Sequence, residues 1–376
     1  MIIPAGQATW SNQLVITKGI NLIGAGIGNT IITSAYASPS NRLIKYAPAK
    51  PFLDEPFRFS GFEINCNSSS SAFELYNSSH THALTKIRID HCKFYDAPSV
   101  NMFLVQGHVY GVIDNNIIKF APSPRNQMTD HLGLNELSWS NFTFEFGSAN
   151  NLYWEDNVIT INDLVTAAGH GGRYCYRYNS ITYINQTASA QIFDMHGNQP
   201  GMLFATMGAE IYDNTIVIQY VGGKLLDQRG GMALVYDNII TANNPVFTSI
   251  RDEYKDDICL PKTTSDGETQ HVNRSYYWNN IANGHRVNPY VSSTISYGGV
   301  IGVAPKPDRD YFAQVNSFNG STGMGVGLLA ARPSSCTLEG AGYWATDTKT
   351  LYRWTTGKWR EYYKPYKYPH PLRNEN

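Results

Sequence analysis

The sequence predicts an all-β protein built as a single right-handed parallel β-helix with a small C-terminal β cap. A short unit recurs in which an aromatic or aliphatic residue and a polar residue precede an Asn, and Ile, Val or Phe follows it. The repeated position is filled by Ser60, Cys92, Asn116, Asn157, Asn179, Asn214, Asn238, Asn279 and, less clearly, Asn316. The shortest spacings are 22 residues, from Asn157 to Asn179, and 24 residues, from Asn214 to Asn238.

The spacing of this repeat is typical of a solenoid. A minimum period of 22 to 24 residues, with additional residues in some copies, is expected when each coil is one structural unit and insertions protrude as loops. The β-branched and aromatic residues of each copy favour strands. An Asn at each turn tolerates left-handed torsions and can bond the Asn of the next coil, about 4.8 Å away. We therefore interpret the Asn residues as structural.

Composition and charge exclude several classes of protein. The 376 residues carry a formal net charge of −1, which gives no electrostatic basis for binding nucleic acid. The odd number of cysteines, five, argues against a complete disulfide framework. No apolar stretch of about 18 residues is present, so we expect no membrane partner. The first residues also lack a basic and apolar signal peptide.

The chain opens inside a coil. The segments 2–6, 14–16 and 20–26 are predicted to form the strands and turns of this first coil. Segments 36–58 and 66–83 are rich in Ser, Pro and Asn and are predicted to be turns and loops. A longer insertion from Phe120 to Gly147 is predicted to form a wall of the binding face, because long loops on a solenoid commonly do so.

The opening of the chain carries a family resemblance. The passage from Pro4 to Ile32, with a Pro-Ala-Gly turn and a Leu-Ile-Gly-Ala-Gly strand, resembles the start of pectate-lyase-like right-handed β-helix proteins. The Asn repeat is similar to that of the same superfamily, and the two features cover most of residues 1–320. The resemblance implies the fold and does not identify the reaction.

A second resemblance covers the later coils. The motifs His-Gly-Gly-Arg-Tyr, Asp-x-His-Gly-Asn, Gln-Arg-Gly-Gly and Arg-Asp-Glu, followed by Tyr-x-Tyr-Pro-His-Pro-Leu at 366–372, are similar to a group of bacterial and phage-associated β-helix proteins. This resemblance implies polysaccharide-related surroundings. We expect an extracellular or virion-associated protein, monomeric or homotrimeric, whose partner is a polysaccharide.

The C-terminal residues form a separate unit in this interpretation. Residues 1–330 are assigned to the β-helix, and residues 331–376 to a small β module with a tail. Residues 332–363 resemble the small β modules appended to phage tail proteins. We expect the module to seal the last coil against pairing of its exposed strand edge, and its aromatic side chains could alternatively stack on sugar rings.

Charged residues and histidines concentrate between positions 170 and 231. His170 lies nine residues before Asn179, and Arg229 lies nine residues before Asn238. Equal offsets in a solenoid predict the same column, so these two side chains should stand two coils apart, roughly 10 Å by strand spacing. The intervening coil carries Asp194 and His196, which places His196 between them.

This cluster is compatible with two reactions on an acidic polysaccharide. Elimination from a uronic acid requires a cation that neutralises the carboxylate and a base that takes the neighbouring proton. We assign His196 as the proton acceptor and Arg229 and Asp194 as its catalytic partners, with Arg173 helping Arg229 to hold the carboxylate. The predicted substrate-binding residues are His170, Arg173, Arg177, Glu210, Asp227, Arg251 and Asp252.

Two alternatives stay open at this point. Hydrolysis requires two carboxylates about 5 to 10 Å apart, and Asp194, Glu210 and Asp227 could supply them. The protein could also be a noncatalytic carbohydrate-binding or tail-spike-like surface protein.

The same charges could instead be purely structural. Arg177 with Glu210, and Arg229 with Asp194, could form ion pairs between coils. Calcium is the one cofactor considered, because carboxylates and carbonyls at coil ends can hold it. The sequence lacks an EF-hand or Gly-Asp nonapeptide pattern, so no metal ligand is assigned.

Overall fold

The strands of the chain follow one another in a repeating order of three, and every third strand joins the same parallel sheet. The computed structural model describes residues 1–97, 101–120, 127–142, 144–184, 191–198, 204–219, 223–253, 270–292 and 304–374. In this part of the chain three long sheets, named A, B and C, run side by side, and each coil contributes strands to them in the order B, C, A. The predicted parallel β-helix is therefore confirmed.

The strands have the following bounds. Sheet A contains Asn21–Ile23, Phe57–Ser60, Leu84–Asp90, Val109–Asp114, Leu152–Glu155, Arg173–Arg177, Gly208–Tyr212, Met232–Tyr236, Ser275–Trp278 and Tyr311–Ala313. Sheet B contains Gly6–Trp10, Thr30–Ser34, Glu63–Asn65, Lys93–Tyr95, Ile117–Lys119, Val158–Ile161, Ser180–Tyr183, Thr215–Ile218, Ile239–Ala242, Ile281–Ala282 and the antiparallel His285–Arg286. Sheet C contains Leu14–Ile16, Ser38–Tyr46, Ser70–Tyr76, Phe103–Gln106, Gln127–Leu132, Leu164–Gly169, Gln191–Met195, Lys224–Gln228, Phe247–Ile250 and Pro289–Val291. The described part of the chain also contains one α-helix, Glu136–Asn141, and 3-10 turns at Pro51–Leu53, Leu329–Ala331 and Pro371–Asn374. A small C-terminal sheet completes the described elements.

The hydrophobic core fills the interior of the coils. In sheet B, Ile159, Ile181, Ile216 and Ile240 stand in register on successive strands, and each is at most 2 % exposed. The residue one position earlier faces outward, and Ile239 is 61 % exposed there. This alternation follows from the period of two in a β-strand, which sends successive side chains to opposite faces.

The Asn repeat forms a buried hydrogen-bonded ladder at the turn from sheet A to sheet B. The side-chain amide of each Asn donates to the side-chain oxygen of the Asn in the next coil, at 2.7 to 3.0 Å. The ladder runs through Asn116, Asn157, Asn179, Asn214, Asn238 and Asn280. Cys92 extends it at one end, since its backbone N–H donates to Asn116 Oδ1 at 2.9 Å. The ladder thus gives hydrogen-bond partners to polar groups that would otherwise be buried without them.

Three predicted ladder positions are wrong. Asn280, and not Asn279, accepts the bond from Asn238, while Asn279 occupies the preceding left-handed position with φ of 51°. Ser60 pairs with Asp90, two residues before Cys92, so it also precedes the ladder position. Asn316 follows Val315, whose N–H bonds the carbonyl of Met324 in the C-terminal sheet. The errors at Asn279 and Ser60 are shifts of one and two residues along the turn.

The small C-terminal sheet covers the outer face of sheet A. Its strands are Met324–Gly327, Gly342–Ala345, Thr350–Thr355 and Lys358–Tyr363. The first of these lies before the predicted boundary at residue 331, and Met324 bridges to Gln314 directly after the last strand of sheet A. The sheet then packs against a stack of rings on the outer face of sheet A, formed by Tyr212, Tyr236 and Trp278. The module therefore covers the side of the β-helix as well as adjoining its last strand.

The tail after this sheet runs back along sheet A toward the early coils. Arg177 donates to the backbone carbonyls of Tyr366 and Lys367 at 2.7 and 2.8 Å. Farther along, Arg88 donates to the carbonyl of Leu372 at 3.2 Å, across 284 residues of sequence. The tail consequently binds several coils that are distant from it in the chain.

Among the described residues, no helix has the length and apolar character needed to cross a membrane. In the same residues, no group of three or more His, Cys, Asp or Glu side chains is arranged to hold a metal ion.

Candidate functional site

Three aspartates form a row on the outer face of sheet C. Asp194 pairs with Asp227 on the adjacent strand. Asp130 lies two strands before Asp194, because Asp130 pairs with Ala167 and the preceding Thr166 pairs with Phe193. Phe193 and Leu226, the residues before Asp194 and Asp227, are buried in the core, so the aspartates point outward. We call Asp130, Asp194 and Asp227 the acidic row.

Arg229 is the centre of a buried ion network beside this row. Its Nε and Nη2 donate to the two carboxylate oxygens of Asp194 at 2.9 and 2.5 Å, and its Nη1 donates to Glu253 at 3.1 Å. The predicted ion pair of Arg229 with Asp194 is therefore confirmed. The guanidinium charge is compensated by two carboxylates, which makes it a poor partner for a carboxylate of a substrate.

The network extends to the next coil. Asp227 accepts hydrogen bonds from Lys224 at 3.0 Å and from Arg251 at 2.8 Å. Arg251 also lies 3.5 Å from Glu253. Glu253, which follows the noted Arg-Asp pair in sequence, was missing from the predicted site. The Arg-Asp-Glu motif is visible in the sequence, but Arg229, the partner of Glu253, comes from a different coil.

The cations of this network are its outermost groups. The side chains of Lys224 and Arg251 are 26 % and 16 % exposed, whereas those of Asp227 and Glu253 are 0 % and 1 % exposed. Lys45, farther along sheet C, similarly lies over the less exposed Glu74. A ligand approaching sheet C at these points therefore meets positive charge first.

His196 lies in the coil between that of His170 and that of Arg229, as predicted. Arg229 Nη2 is 2.6 Å from His196 Nδ1, and His196 Nε2 is 3.5 Å from Asp194. Burial lowers the pKa of His196 to about 4, with Asp194 opposing and Arg229 adding to the shift. The ring is therefore neutral near pH 7, and Arg229 Nη2 lies 2.6 Å from Nδ1 and 3.1 Å from Nε2. His196 would have to leave this contact with Arg229 before it could take a proton through Nδ1.

Asp130 differs from the other members of the row because amides, and not cations, bond its carboxylate. Asn101 and Gln127 donate to its two oxygens. Burial raises the pKa of Asp130 to about 6, and the charge of Asp194 also raises it, while Arg42 opposes the shift. Asp130 is therefore partly protonated near neutral pH. The sequence prediction noted it only as part of a loop.

That loop prediction is wrong for part of the segment. The segment from Phe120 to Gly147 contains the strand Gln127–Leu132 of sheet C and the helix Glu136–Asn141, on which Trp139 is only 1 % exposed. Positions 121–126 and 143 lie outside the described residues. Because the segment starts with a proline-rich stretch, the strand that carries Asp130 was not predicted.

Two predicted residues lie near the row without joining its ion network. His170 stands one residue beyond the end of its sheet C strand, in a left-handed conformation with φ of 53°, and its Nδ1 is 2.5 Å from Asn135 Oδ1. Asp252 pairs with His271 and accepts a bond from the backbone of Val272 at 3.2 Å. Asp252 and His271 line a separate cleft of about 230 Å³ together with Arg309 and Asp310.

Three other predicted residues belong to sheet A and not to the site. Arg177 is fully buried and pairs with Glu155 at 2.7 Å, so the predicted pair with Glu210 is wrong. Glu210 is also fully buried, and it accepts a bond from the backbone of Gly147 at 3.0 Å. Arg173 lies against the rings of Tyr110 and Phe144, and burial lowers its pKa. The sequence could not reveal that other segments cover these side chains.

Comparisons with known proteins add two structural similarities. No protein-family model and no curated protein sequence matches the chain. The catalytic domain of a GH87 α-1,3-glucanase in complex with nigerose is similar, with a TM-score of 0.37 and 10% identity, over 84% of this chain and 64% of the glucanase domain. The A-module of a mannuronan C-5 epimerase from Azotobacter vinelandii is similar with a TM-score of 0.29 and 13% identity, over 79% of this chain and 90% of the module.

Proposed function

We propose that the protein is an enzyme that binds an acidic polysaccharide along the outer face of sheet C and hydrolyses its glycosidic bonds. The observation that carries this proposal is the contrast between two carboxylates of the acidic row. Asp130 is bonded by amides and has a pKa raised to about 6, whereas Asp194 accepts two hydrogen bonds from a guanidinium. Carboxylates in such different environments suit an acid and a base in one reaction.

The spacing of the two carboxylates supports a direct displacement by water. Two strand spacings separate Asp130 from Asp194, which corresponds to roughly 10 Å. Carboxyl groups about 6.5 to 9.5 Å apart leave room for a water molecule between base and sugar, as inverting glycosidases require. In this scheme Asp130 protonates the leaving oxygen, and Asp194 takes a proton from the attacking water. The products are two shorter chains, one with a new reducing end.

The placement of charge supports an acidic substrate. Lys224 and Arg251 are more exposed than the carboxylates beneath them, and Lys45 repeats this arrangement over Glu74. A uronate chain lying along sheet C would meet these cations in succession. Because they are spaced along the face, they favour a polymer over a single anion.

Elimination is the second candidate reaction, and His196 is the observation that favours it. Its side chain is 17 % exposed, its pKa is lowered to about 4, and cationic side chains stand beside it. Arg251 and Lys224 suit the substrate carboxylate better than Arg229, whose charge Asp194 and Glu253 already compensate. Elimination would transfer the proton next to the carboxylate to His196, and the glycosidic oxygen would leave.

The first experiment distinguishes these reactions. The protein is incubated with pectate, alginate and glycosaminoglycans, and both new reducing ends and the ultraviolet absorbance of unsaturated ends are measured. Hydrolysis is expected to give reducing ends without the absorbance. Reducing ends accompanied by the absorbance would assign elimination instead. The absence of both signals on all substrates would contradict an enzymatic function and favour a binding protein.

A matched set of variants then tests the roles of the carboxylates. Asp130→Asn removes the proposed general acid while keeping its shape, and a loss of about 10²- to 10⁴-fold in kcat is expected. Asp347→Asn serves as the control, because Asp347 is an exposed carboxylate of the C-terminal sheet that bonds the backbone of Leu329. Full activity in Asp130→Asn, with wild-type thermal stability, would contradict the assignment.

A further inference from the structure

A second cleft lies on the opposite side of the β-helix from sheet C. It has a volume of about 540 Å³ and is bounded by the turns between sheets A and B on one side and by the C-terminal sheet and tail on the other. Because each coil has three sides, the corner between sheets A and B faces away from sheet C. The volume falls within the range of about 300 to 1,000 Å³ that is usual for small-molecule sites. This cleft is separate from the acidic row.

The floor of the cleft is formed by a series of equivalent turn positions. The residue directly before each ladder Asn has a left-handed backbone, with φ of 57° at Asp156, 54° at Asp213 and 52° at Asp237. The tail covers Asp156, which Tyr368 and Arg373 bond. Asp213 and Asp237 lie beyond this cover and line the cleft. Their preceding residues, Tyr212 and Tyr236, are in register, so the two carboxylates stand one strand spacing apart.

Aromatic rings form the walls of the cleft. Trp344 from the C-terminal sheet and Tyr366 and Tyr368 from the tail line it, together with Tyr178 from the β-helix. Tyr368 is 46 % exposed, and its ring centroid lies 3.9 Å from that of Tyr178. Exposed aromatic faces beside hydrogen-bonding groups are suited to ligands that are apolar on one side and polar on the other.

We propose that this cleft binds a short segment of a neutral sugar chain. The C–H faces of a sugar ring would pack against the aromatic walls, and its hydroxyl groups would donate to Asp213 and Asp237. Carboxylates only accept when ionised, so they select donors such as hydroxyls over further carboxylates. This inference does not depend on the reaction proposed for sheet C.

The carboxylates on the floor of the cleft favour a neutral ligand in contact with them over an anionic one, whereas Lys349, Lys364 and Lys367 line the walls. Burial and the neighbouring Asp213 raise the pKa of Asp237 to about 6, while Lys349 opposes the shift. Burial also raises the pKa of Asp213, and Tyr178 and Lys349 oppose it. A uronate in contact with this pair would add a third negative charge where two already repel each other.

The test measures binding of defined oligosaccharides to the Asp130→Asn protein, so that cleavage on sheet C does not interfere. Neutral hexasaccharides of glucose in several linkages, and a hexasaccharide of galacturonate, are titrated while Trp fluorescence and the heat of binding are recorded. At least one neutral hexasaccharide is expected to bind, because its rings can contact the walls around Trp344. Failure of every neutral hexasaccharide to bind would overturn the proposal, and so would loss of galacturonate binding in a variant that fills the cleft.

Three variants locate the binding. Asp237→Asn is expected to weaken binding at least tenfold, and Thr346→Trp, at an exposed position that lines the cleft, should abolish it by filling the space. His91→Asn changes the same type of turn position, directly before Cys92 and outside the cleft, and should leave the affinity unchanged. Neutral-sugar binding that survives both Asp237→Asn and Thr346→Trp would place the ligand elsewhere and refute this site.

Discussion

Arg229 bonds two buried carboxylates beside sheet C, Asp194 and Glu253. Replacing it with Ala would leave Asp194 and Glu253, which are 3 % and 1 % exposed, without their main cation. Breaking a buried ion pair in this way typically costs about 3 to 5 kcal/mol. We expect a loss of that size in the free energy of unfolding of Arg229→Ala, measured by urea denaturation.

Arg58 provides the matched control for this prediction. It also bonds both oxygens of an aspartate, Asp90, but its side chain is 22 % exposed and Arg88 lies 3.4 Å from the same carboxylate. Arg58→Ala should therefore cost much less. Equal losses in the two variants, or a loss below about 1 kcal/mol in Arg229→Ala, would show that the sheet C network contributes little to stability.

The pKa of Asp130 predicts a specific dependence of stability on pH. The folded pKa of about 6 lies above the unfolded value of about 3.9, so the folded chain binds this proton more tightly. The resulting stability is fully present below about pH 4 and is lost as the pH rises through 6. The stability of Asp130→Asn relative to the wild type should therefore increase from pH 4 to pH 7. Melting temperatures across this range check it; a flat difference for Asp130→Asn would contradict the raised pKa.

At the scale of single residues, the sequence predicted one ion pair between coils correctly and one incorrectly. The pair of Arg229 with Asp194 was predicted as an ion pair between neighbouring coils, and the structure contains it. The pair of Arg177 with Glu210 failed because Glu155, one coil earlier on the same sheet, competes for the guanidinium. Arg177 is in register with Glu155, whereas Glu210 is in register with Cys175.

The Asn ladder is the element that aligns the coils. Asn179 donates to Asn214 and to the carbonyls of Trp154 and Arg177, and it accepts from Asn157. Asn179→Ala would leave several of these buried groups unsatisfied, at about 1 to 3 kcal/mol each. We expect a loss of at least about 2 kcal/mol in chemical denaturation. Asn12→Ala, at an exposed turn position, should stay within about 0.5 kcal/mol of the wild type, and a similar small change in Asn179→Ala would be inconsistent with a stabilising ladder.

The tail is the second element with a testable contribution. Removing residues 365–376 would uncover Arg177 and Glu155 and would take away the carbonyls that Arg177 and Arg88 bond. Hydrogen exchange is expected to increase in the strands Leu84–Asp90 and Leu152–Glu155, which the tail covers, and to remain unchanged in Gly6–Trp10. Unchanged exchange in all three strands would contradict a stabilising role of the tail.

The elements were predictable to the extent that they obey a local pattern. The period of two and the Asn repeat identify strands and turns, because both depend on neighbouring residues in sequence. The path of the tail depends on aromatic residues of sheet A. Their sequence is the same whether another segment covers them or leaves them exposed. Tyr212, Tyr236 and Trp278 thus gave no sign that they form a second apolar cluster with Trp344.

At the scale of the whole molecule, the three-sided coil separates two surfaces that differ in the groups they present. Sheet C presents cations over buried carboxylates, whereas the opposite corner presents carboxylates between aromatic walls. The fold class could be predicted because it is the sum of repeated local units. The sites could not, because insertions of different length between coils decide which side chains meet.

The return of the tail has a consequence for how the molecule melts. A solenoid held only by contacts between adjacent coils can fray from its ends, since each unit depends on its neighbours alone. Here residues near position 372 are tied to Arg88 across 284 residues of sequence, and the C-terminal sheet is tied to Tyr236 and Trp278. The coil of Arg88 cannot detach while the tail stays bound to it, and the tail cannot detach without exposing Arg177. Calorimetry should therefore show these coils unfolding together as one cooperative unit, in contrast to the gradual loss of structure that an untied stack of coils would show.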